Sequence, residues 1–281
     1  MPASPKSIAV VPAHDKREAH ELYAQMAAWL EAHNVELVTE QALHEGATAD
    51  AIIALGGDGL MMRMARANPG VPILGINFGT VGFLAMAERS RWREALEDLL
   101  AGNFRYQDGP ILQAVVERDG GQFKAGIAIN DVVIRSGIRM IDTELYIDRV
   151  YVNVYPGDGM IVATPQGSTA YCMAAGGPIL IAGVHGFAVT PLSPHSPIRS
   201  TLVVPEESEI EMVIANDRRA SLILDGDEVD TVGKGDVVCV RRCEEPFRMI
   251  MLADMNFYDA FRNKFNYMIR PGVRPSLGDS R

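Results

Sequence analysis

Cysteine is scarce in this chain: Cys172, Cys239 and Cys243 are the only three in 281 residues. Three thiols cannot all pair, so a disulfide framework is not expected and a reducing compartment, the cytoplasm, is favoured. Cys239 and Cys243 lie in a strand-like run with no second Cys or His pair beside them, and they read as buried thiols rather than zinc ligands. Positive charge is also short. Lys and Arg number 26 against 36 Asp and Glu, a net charge of −10, which argues against non-specific binding to nucleic acid or an anionic membrane. Long apolar runs are missing too, and none approaches the roughly 20 residues that span a bilayer. The opening "MPASPKSIAVVPAHD" has only a short apolar stretch before Pro12, so it reads as a first strand and not a signal peptide.

What is present is an ordinary globular composition, 48% apolar and 22% charged, on a chain long enough for about two domains with real cores. The first hundred residues alternate. "SIAVVPA", "VELVTE", "DAIIAL" and "VPILGINFG" read as strands. Asp15 to His33 reads as a helix with Ala19, Leu22, Met26, Trp29 and Leu30 on one face, "LMMRMARA" as a short helix, and "SRWREALEDLLAG" as a helix with Ser90 as N-cap and Gly102 as stop. Apolar strands separated by helices predict an α/β domain over 1–102 with a parallel sheet.

After Asn103 the texture changes to strands and turns. "ILQAVVERDGGQFKAGIAINDVVIR" has a hairpin pattern around Asp119-Gly120-Gly121, and "SEIEMVIANDRRASLILDGDEV" alternates around an Asn216-Asp217 turn. Residues 103–253 therefore read as a mostly antiparallel all-β domain. "NFYDAFRNKFNYM" has Phe257, Phe261 and Phe265 on one helical face, so a C-terminal helix over 254–270 is expected to dock back on the first domain. The tail 271–281 is expected to be disordered.

Three segments carry chemistry. In "ADAIIALGGDGLMMRMA" a buried strand runs into Gly56-Gly57-Asp58-Gly59 and then a helix. Ligands of open parallel sheets bind where strands end, and glycines let backbone N–H groups face a phosphate beside a favourable helix dipole. The alternative is a tight turn whose Asp58 caps the helix. The pattern is neither a Walker A loop nor Gly-x-Gly-x-x-Gly. In "NVYPGDGMIVATPQGSTAYCMAAGGPIL" Ser168 and Thr169 can cap a short helix, with Tyr171 one turn in and Asp158 able to bind a ribose hydroxyl. The alternative here is a capped helix with a half-buried Tyr. Asn130-Asp131 interrupts the apolar "AGIAINDVVIR", which suggests a bulge or an exposed site. Phe83 in "GINFGTVGFLA" is either a stacking surface for a base or core, and His195 between prolines reads as structural.

Gly-Gly-Asp-Gly, "GINFGTVGFLA", "NDVVI", "DGMIVATPQGSTAYCMAAGGPI", "TPLSPHS" and "LDGD" together resemble the ordered motif set of the NAD kinases. The Thr-Pro-x-Gly-Ser-Thr-Ala-Tyr segment is the specific one, since Gly-Gly-Asp-Gly is shared with lipid kinases. The resemblance implies transfer of a phosphoryl group from ATP or inorganic polyphosphate, with Mg²⁺, to the 2′-hydroxyl of NAD's adenosine ribose, giving NADP. It implies Asp58 as general base, Gly56 and Gly57 beside the donor phosphates, and no protein-held metal. For the dinucleotide it implies Asp58, Gly59, Phe83, Asn130, Asp131, Asp158, Gln166, Thr169, Ala170, Tyr171, Ala174 and Asp227, with 103–253 as the NAD-binding domain and a homodimer or homotetramer as the assembly. Asp131 stands where many members have Glu, Ala174 where many have Ser, and Gln166 where Thr or Ala is usual. The competing readings are a kinase of a lipid or other alcohol and a catalytically weak NAD-binding paralogue.

Overall fold

The structure, a computed structural model, describes residues 2–79, 82–195, 197–253 and 255–265. It divides into two units. One holds the stretches up to Ala67, from Val71 to Tyr106 and from Met249 on; the other holds Asn68–Gly70 and Gln107–Arg248. In chain order the elements begin β1 (Ser7–Pro12), α1 (Arg17–Ala32), β2 (Glu36–Val38), α2 (Glu40–His44), β3 (Ala51–Leu55), α3 (Asp58–Ala67), β4 (Ile73–Asn77), β5 (Ala87–Glu88), α4 (Trp92–Ala101) and β6 (Phe104–Gly109). Then come β7 (Leu112–Arg118), β8 (Gly121–Ala128), β9 (Asp131–Arg135), β10 (Ile141–Ile147), β11 (Val150–Gly157), β12 (Gly159–Ala163), α5 (Tyr171–Ala174), β13 (Gly186–Leu192) and β14 (Leu202–Pro205). The chain ends with β15 (Ile210–Ile214), β16 (Ala220–Leu224), β17 (Asp227–Val232), β18 (Val237–Arg242), β19 (Phe247–Leu252) and α6 (Phe257–Phe265).

The first unit is built on a sheet of order β2-β1-β3-β4-β19-β6, with β5 beside β4. The pairs from β2 through β19 are parallel. β3 and β4 are buried at every residue, as a parallel strand covered on both faces must be. α1 packs Ala19, Leu22, Met26 and Leu30, and α4 packs Trp92, Ala95, Leu96 and Leu99, into one core with Ile53 and Ile76. Two details differ from the sequence expectation. α2, capped by Thr39 Oγ1 accepting from Ala42 N, is an extra helix in a stretch too polar to show periodicity. Ser90 is not an N-cap: it lies in a 3-10 turn, and α4 starts at Trp92 without a side-chain cap, ending as expected at Gly102 with φ 73°.

α6 carries the aromatic stripe. Phe257 stacks on Phe83 with ring centroids 5.7 Å apart, and Phe261 lies 6.1 Å from Phe257. The Phe265 side chain, the expected continuation of this helix to residue 270 and the expected disordered tail lie outside the described residues.

The second unit holds two antiparallel six-stranded sheets, β11-β10-β15-β18-β7-β8 and β14-β13-β12-β9-β16-β17. Leu112, Val116, Met212 and Val240 of the first sheet share one core with Ile134, Met160, Phe187 and Leu222 of the second. β7, β10 and β15 bury alternate residues. β9, β12 and β13 are buried almost throughout, because Cys172 of α5 and Leu180 cover their other face. Two-residue turns at Asp119-Gly120 and Asp225-Gly226 have positive φ at both positions, the form that matches strand twist in hairpins. "AGIAINDVVIR" is not one interrupted strand. The chain leaves β8 at Ala128 and enters β9, in the other sheet, at Asp131. Asn130-Asp131 is thus a crossover and not a bulge.

Candidate functional site

In the first unit the site grows from the end of β3. A Cβ at Gly57 or Gly59 would meet no atom within 4 Å, and Gly56, Gly57 and Gly59 all avoid the left-handed backbone region. No contact among the described residues therefore requires glycine at 57 or 59. What glycine leaves there is open space next to backbone amides at the start of α3, a place a phosphate can approach.

Asp58, first residue of α3, is bound from the loop after β4. Its Oδ2 accepts from Phe83 N at 3.0 Å, and its Oδ1 from Leu84 N at 3.1 Å and Ala85 N at 2.9 Å. A Cβ at Gly82 would overlap this carboxylate, so glycine is needed there. The three amides fix the orientation of Asp58. Phe83 is 6% exposed and stacked on Phe257, so its ring is core and its backbone N–H is what reaches Asp58.

In the second unit Thr164 organises the turn after β12. Fully buried, it donates from Oγ1 to Ile129 O at 2.7 Å and accepts from Gly167 N at 3.0 Å, while its own N donates to Asn130 O. A Cβ at Gly167 would overlap the Asn130 carbonyl. The Thr-Pro-Gln-Gly turn and Asn130 are thereby locked together. Ser168 and Thr169 do not cap α5. Ser168 Oγ donates to Pro165 O and accepts from Leu180 N, and Thr169 Oγ1 donates to Gln166 O, leaving α5 to begin after Ala170 with no side-chain cap. Tyr171 is half-buried on the apolar cluster of Val133, Ile161 and Leu180, with the Arg135 guanidinium 5.9 Å from its ring centre. Ala174 closes α5 and is exposed.

Asp131 is 5% exposed. Burial, and then the charge of Asp225, push its carboxyl up to about 7. Asp225 itself accepts from the N–H groups of Ile129 at 2.8 Å, Asn130 at 2.7 Å and Asp131 at 3.2 Å. The sequence reading missed Asp225, Thr164, Gly82 and Arg135. Asp225 was signalled by the Asp-Gly hairpin dipeptide between alternating residues; the other three become visible only through their tertiary partners.

Three predicted residues stand less closely tied to this cluster, and one of them is remote from it. Asp227, one residue past the Asp225-Gly226 turn, is exposed. Asp158 is exposed just before β12, whereas Thr164 follows its end; six extended steps place the two roughly 20 Å apart along the strand. Gln166 packs its amide over Gly109, where a Cβ would overlap it, and its buried Oε1 has no hydrogen-bond partner among the described residues. Away from all of these, Glu209, Glu211 and Cys239 gather their ligand atoms within 4.8 Å. Burial, and after it Glu117, Glu211 and Glu209, push the Cys239 thiol up to about 12, which keeps it protonated.

The ATP-NAD kinase N-terminal domain family matches residues 43–104 and the ATP-NAD kinase C-terminal domain family residues 129–252. An NAD kinase of Thermomicrobium roseum is 57% identical over 268 residues, 95% of this chain and 93% of that one. Another, of Moorella thermoacetica, is 41% identical over 77% of this chain and 71% of its own. A solved NAD kinase from Archaeoglobus fulgidus in complex with ATP superposes with a TM-score of 0.73 at 26% identity, covering 92% of this chain and 98% of that one. Yeast NADH kinase complexed with NADH shares the fold, with a TM-score of 0.83 at 19% identity over 97% and 91% of the two chains. The chain belongs to the NAD kinase family.

Proposed function

We propose that this chain phosphorylates NAD at the 2′-hydroxyl of its adenosine ribose, giving NADP, with ATP as donor and Asp58 as general base. The observation that carries the reading is the pairing of open glycines at 57 and 59 with a carboxylate fixed by three amides. The ATP complex of the Archaeoglobus fulgidus relative supports the donor. A ribose hydroxyl is a poor nucleophile until its proton is accepted as it attacks phosphorus. A carboxylate in reach both orients the oxygen and takes the proton, contributing typically 10²- to 10⁴-fold. The donor's γ-phosphoryl then moves to that oxygen and ADP leaves. Gly57 turns its N–H toward the donor phosphates, whereas the Gly56 N–H is taken by the Ile76 carbonyl at 2.9 Å, so Gly56 serves the donor side by shaping the turn against Leu60. Mg²⁺ would enter with the donor as its phosphate complex, neutralising charge on the transferred group.

The 103–253 segment supplies the dinucleotide site: Asn130 and Asp131 at the crossover, the Gln166–Tyr171 turn with Thr169 and Ala170, Ala174 at the end of α5, and Asp158 and Asp227. Gly59 lines the acceptor side and Phe83 backs Asp58. The assembly is a homodimer or homotetramer in the cytoplasm, favoured by apolar exposure on β11, where Val150 is 67% and Tyr151 53% exposed. No helix among the described residues is long and apolar enough to cross a membrane.

The test is NADP formation by the purified chain with NAD and Mg²⁺, supplied with ATP or with polyphosphate, compared with Asp58→Asn. Wild type forms NADP, and the variant loses roughly 100-fold or more in kcat. The substitution also sets an NH₂ group against a loop N–H, so a stability loss of about 1–3 kcal/mol is expected alongside. Activity is therefore compared at a temperature where both proteins are folded. A variant with near wild-type kcat removes the base role, and turnover of a lipid alcohol in place of NAD removes the reading altogether.

A further inference from the structure

We infer that Asp131 and Asp225 hold one proton between them, kept on Asp131, so that Asp131 meets bound NAD as a neutral carboxyl donating a hydrogen bond while ionised Asp225 positions it. This rests on the reading that Asn130 and Asp131 contact the dinucleotide. The two acids are treated very differently by their surroundings. Asp225, in the turn between β16 and β17, receives three backbone N–H groups, from Ile129, Asn130 and Asp131, and hydrogen bonds of that kind favour the ionised form. Asp131 is 5% exposed, and no donor among the described residues hydrogen-bonds its carboxyl.

The groups that bear on Asp131 from its neighbours are also acids. Asp225 faces it from the β16–β17 turn, and the Cys172 thiol of α5 is close enough for Asp131 to help push that thiol up. β12 offers Ala163 beside it, and no cation among the described residues offsets its charge. A buried carboxyl beside a second, ionised carboxylate does not itself ionise at low cost. The raised pKa of Asp131 agrees with the geometry.

A neutral carboxyl offers one O–H donor and one carbonyl acceptor. It can therefore serve a ribose hydroxyl and a base acceptor together without adding negative charge beside a pyrophosphate. Asp225 sets the peptide plane from which Asp131 projects, making it a positioning residue rather than a contact. The left-handed φ of 51° at Asp225 keeps its carboxylate under the crossover.

The experiment is calorimetric titration of the full chain with NAD alone, from about pH 6 to about pH 9, in two buffers of different ionisation heat; the NAD pyrophosphate does not titrate in this range. NAD affinity is expected to fall about tenfold for each pH unit above about 7, with uptake of about one proton on binding at the alkaline end. Asp131→Asn keeps a donor and an acceptor but has no proton to lose, so its own affinity, whatever its value near pH 6, should stay flat to pH 9. Wild-type affinity that is flat or rises with pH overturns the proposal. So does an Asp131→Asn variant that follows the wild-type pH curve. Asp131→Ala separates the two layers of the argument. Weakened NAD binding near pH 6 together with a wild-type pH curve in Asp131→Asn rejects the shared proton and leaves the nucleotide contact intact. Unchanged binding by Asp131→Ala rejects both.

Discussion

Asp131 has a consequence for stability that needs no ligand. Its folded pKa of about 7 lies above its ordinary value of 3.8. An acid raised on folding contributes fully below its unfolded pKa, and that contribution is lost as pH rises through the folded one. The window is therefore about pH 4 to about pH 7, at about 1.4 kcal/mol per unit and at most about 4 kcal/mol across it. Asp131→Asn should gain stability over wild type at about pH 8 relative to about pH 5, read as a difference in urea midpoints. An equal difference at both pH values would mean the carboxyl titrates normally. Ala174 and Tyr171 make separate claims on the ligand. Ala174→Ser restores a hydroxyl at the exposed end of α5, and one new hydrogen bond of roughly 1 kcal/mol lowers the KM for NAD about fivefold; an unchanged or higher KM argues against this alignment. Tyr171→Ala removes a half-buried ring from the edge of the cluster around Val133 and Ile161. NAD affinity by calorimetry should drop while the fold persists, and unaltered affinity would make Tyr171 a packing residue only.

At the scale of elements, the decisive object is the crossover from β8 to β9 and the turn after β12 that Thr164 ties to it. Thr164→Val keeps the volume and removes the hydroxyl. Ile129 O then loses a donor and Gly167 N an acceptor inside the core, a cost of about 1–3 kcal/mol. Thermal unfolding should register that loss, and NAD affinity should fall with it because the same hydroxyl fixes Asn130 against the turn. A variant as stable as wild type would show that water takes over both partners. This element also marks where the sequence was legible and where it was not. The hairpin at Asp119-Gly120 and the turn at Asp225-Gly226 follow from dipeptides that accept positive φ, and β3 followed by Gly-Gly-Asp-Gly is visible as a run of apolar residues meeting three glycines. The crossover was not visible, because "AGIAINDVVIR" is apolar on both sides of Asn130-Asp131. Apolarity alone does not say that β8 and β9 pair in different sheets. Ser168 and Thr169 carry the right side chains for an N-cap, yet carbonyls three residues back claim their hydroxyls. Phe83 shows the same limit: a ring that suits a base also suits Phe257, and only the folded chain decides between them.

At the scale of the whole molecule, the first unit is closed by the last part of the chain. β19 lies between β4 and β6, and Phe247, Met249, Ile250, Met251 and Leu252 are each no more than 5% exposed. It pairs with both of those strands, and its Ile250 and Leu252 join the core shared with α1 and α4. Burying a large apolar side chain is worth about 1.5–3 kcal/mol, so the four from Met249 to Leu252, which belong to the first unit, contribute on the order of 10 kcal/mol, comparable to the net stability of a typical domain. The second unit has no such dependence, since its two sheets are made within Gln107–Arg248. A chain ended after Pro246 should therefore lose the first unit selectively. Thermolysin should cut rapidly within the first hundred residues while the two antiparallel sheets stay protected, and NADP formation should vanish because Asp58 is no longer held by the loop after β4. Equal protease resistance of the first unit in the full and shortened chains would show that β4 and β6 stand without β19, and that the carboxylate's position does not depend on the end of the chain.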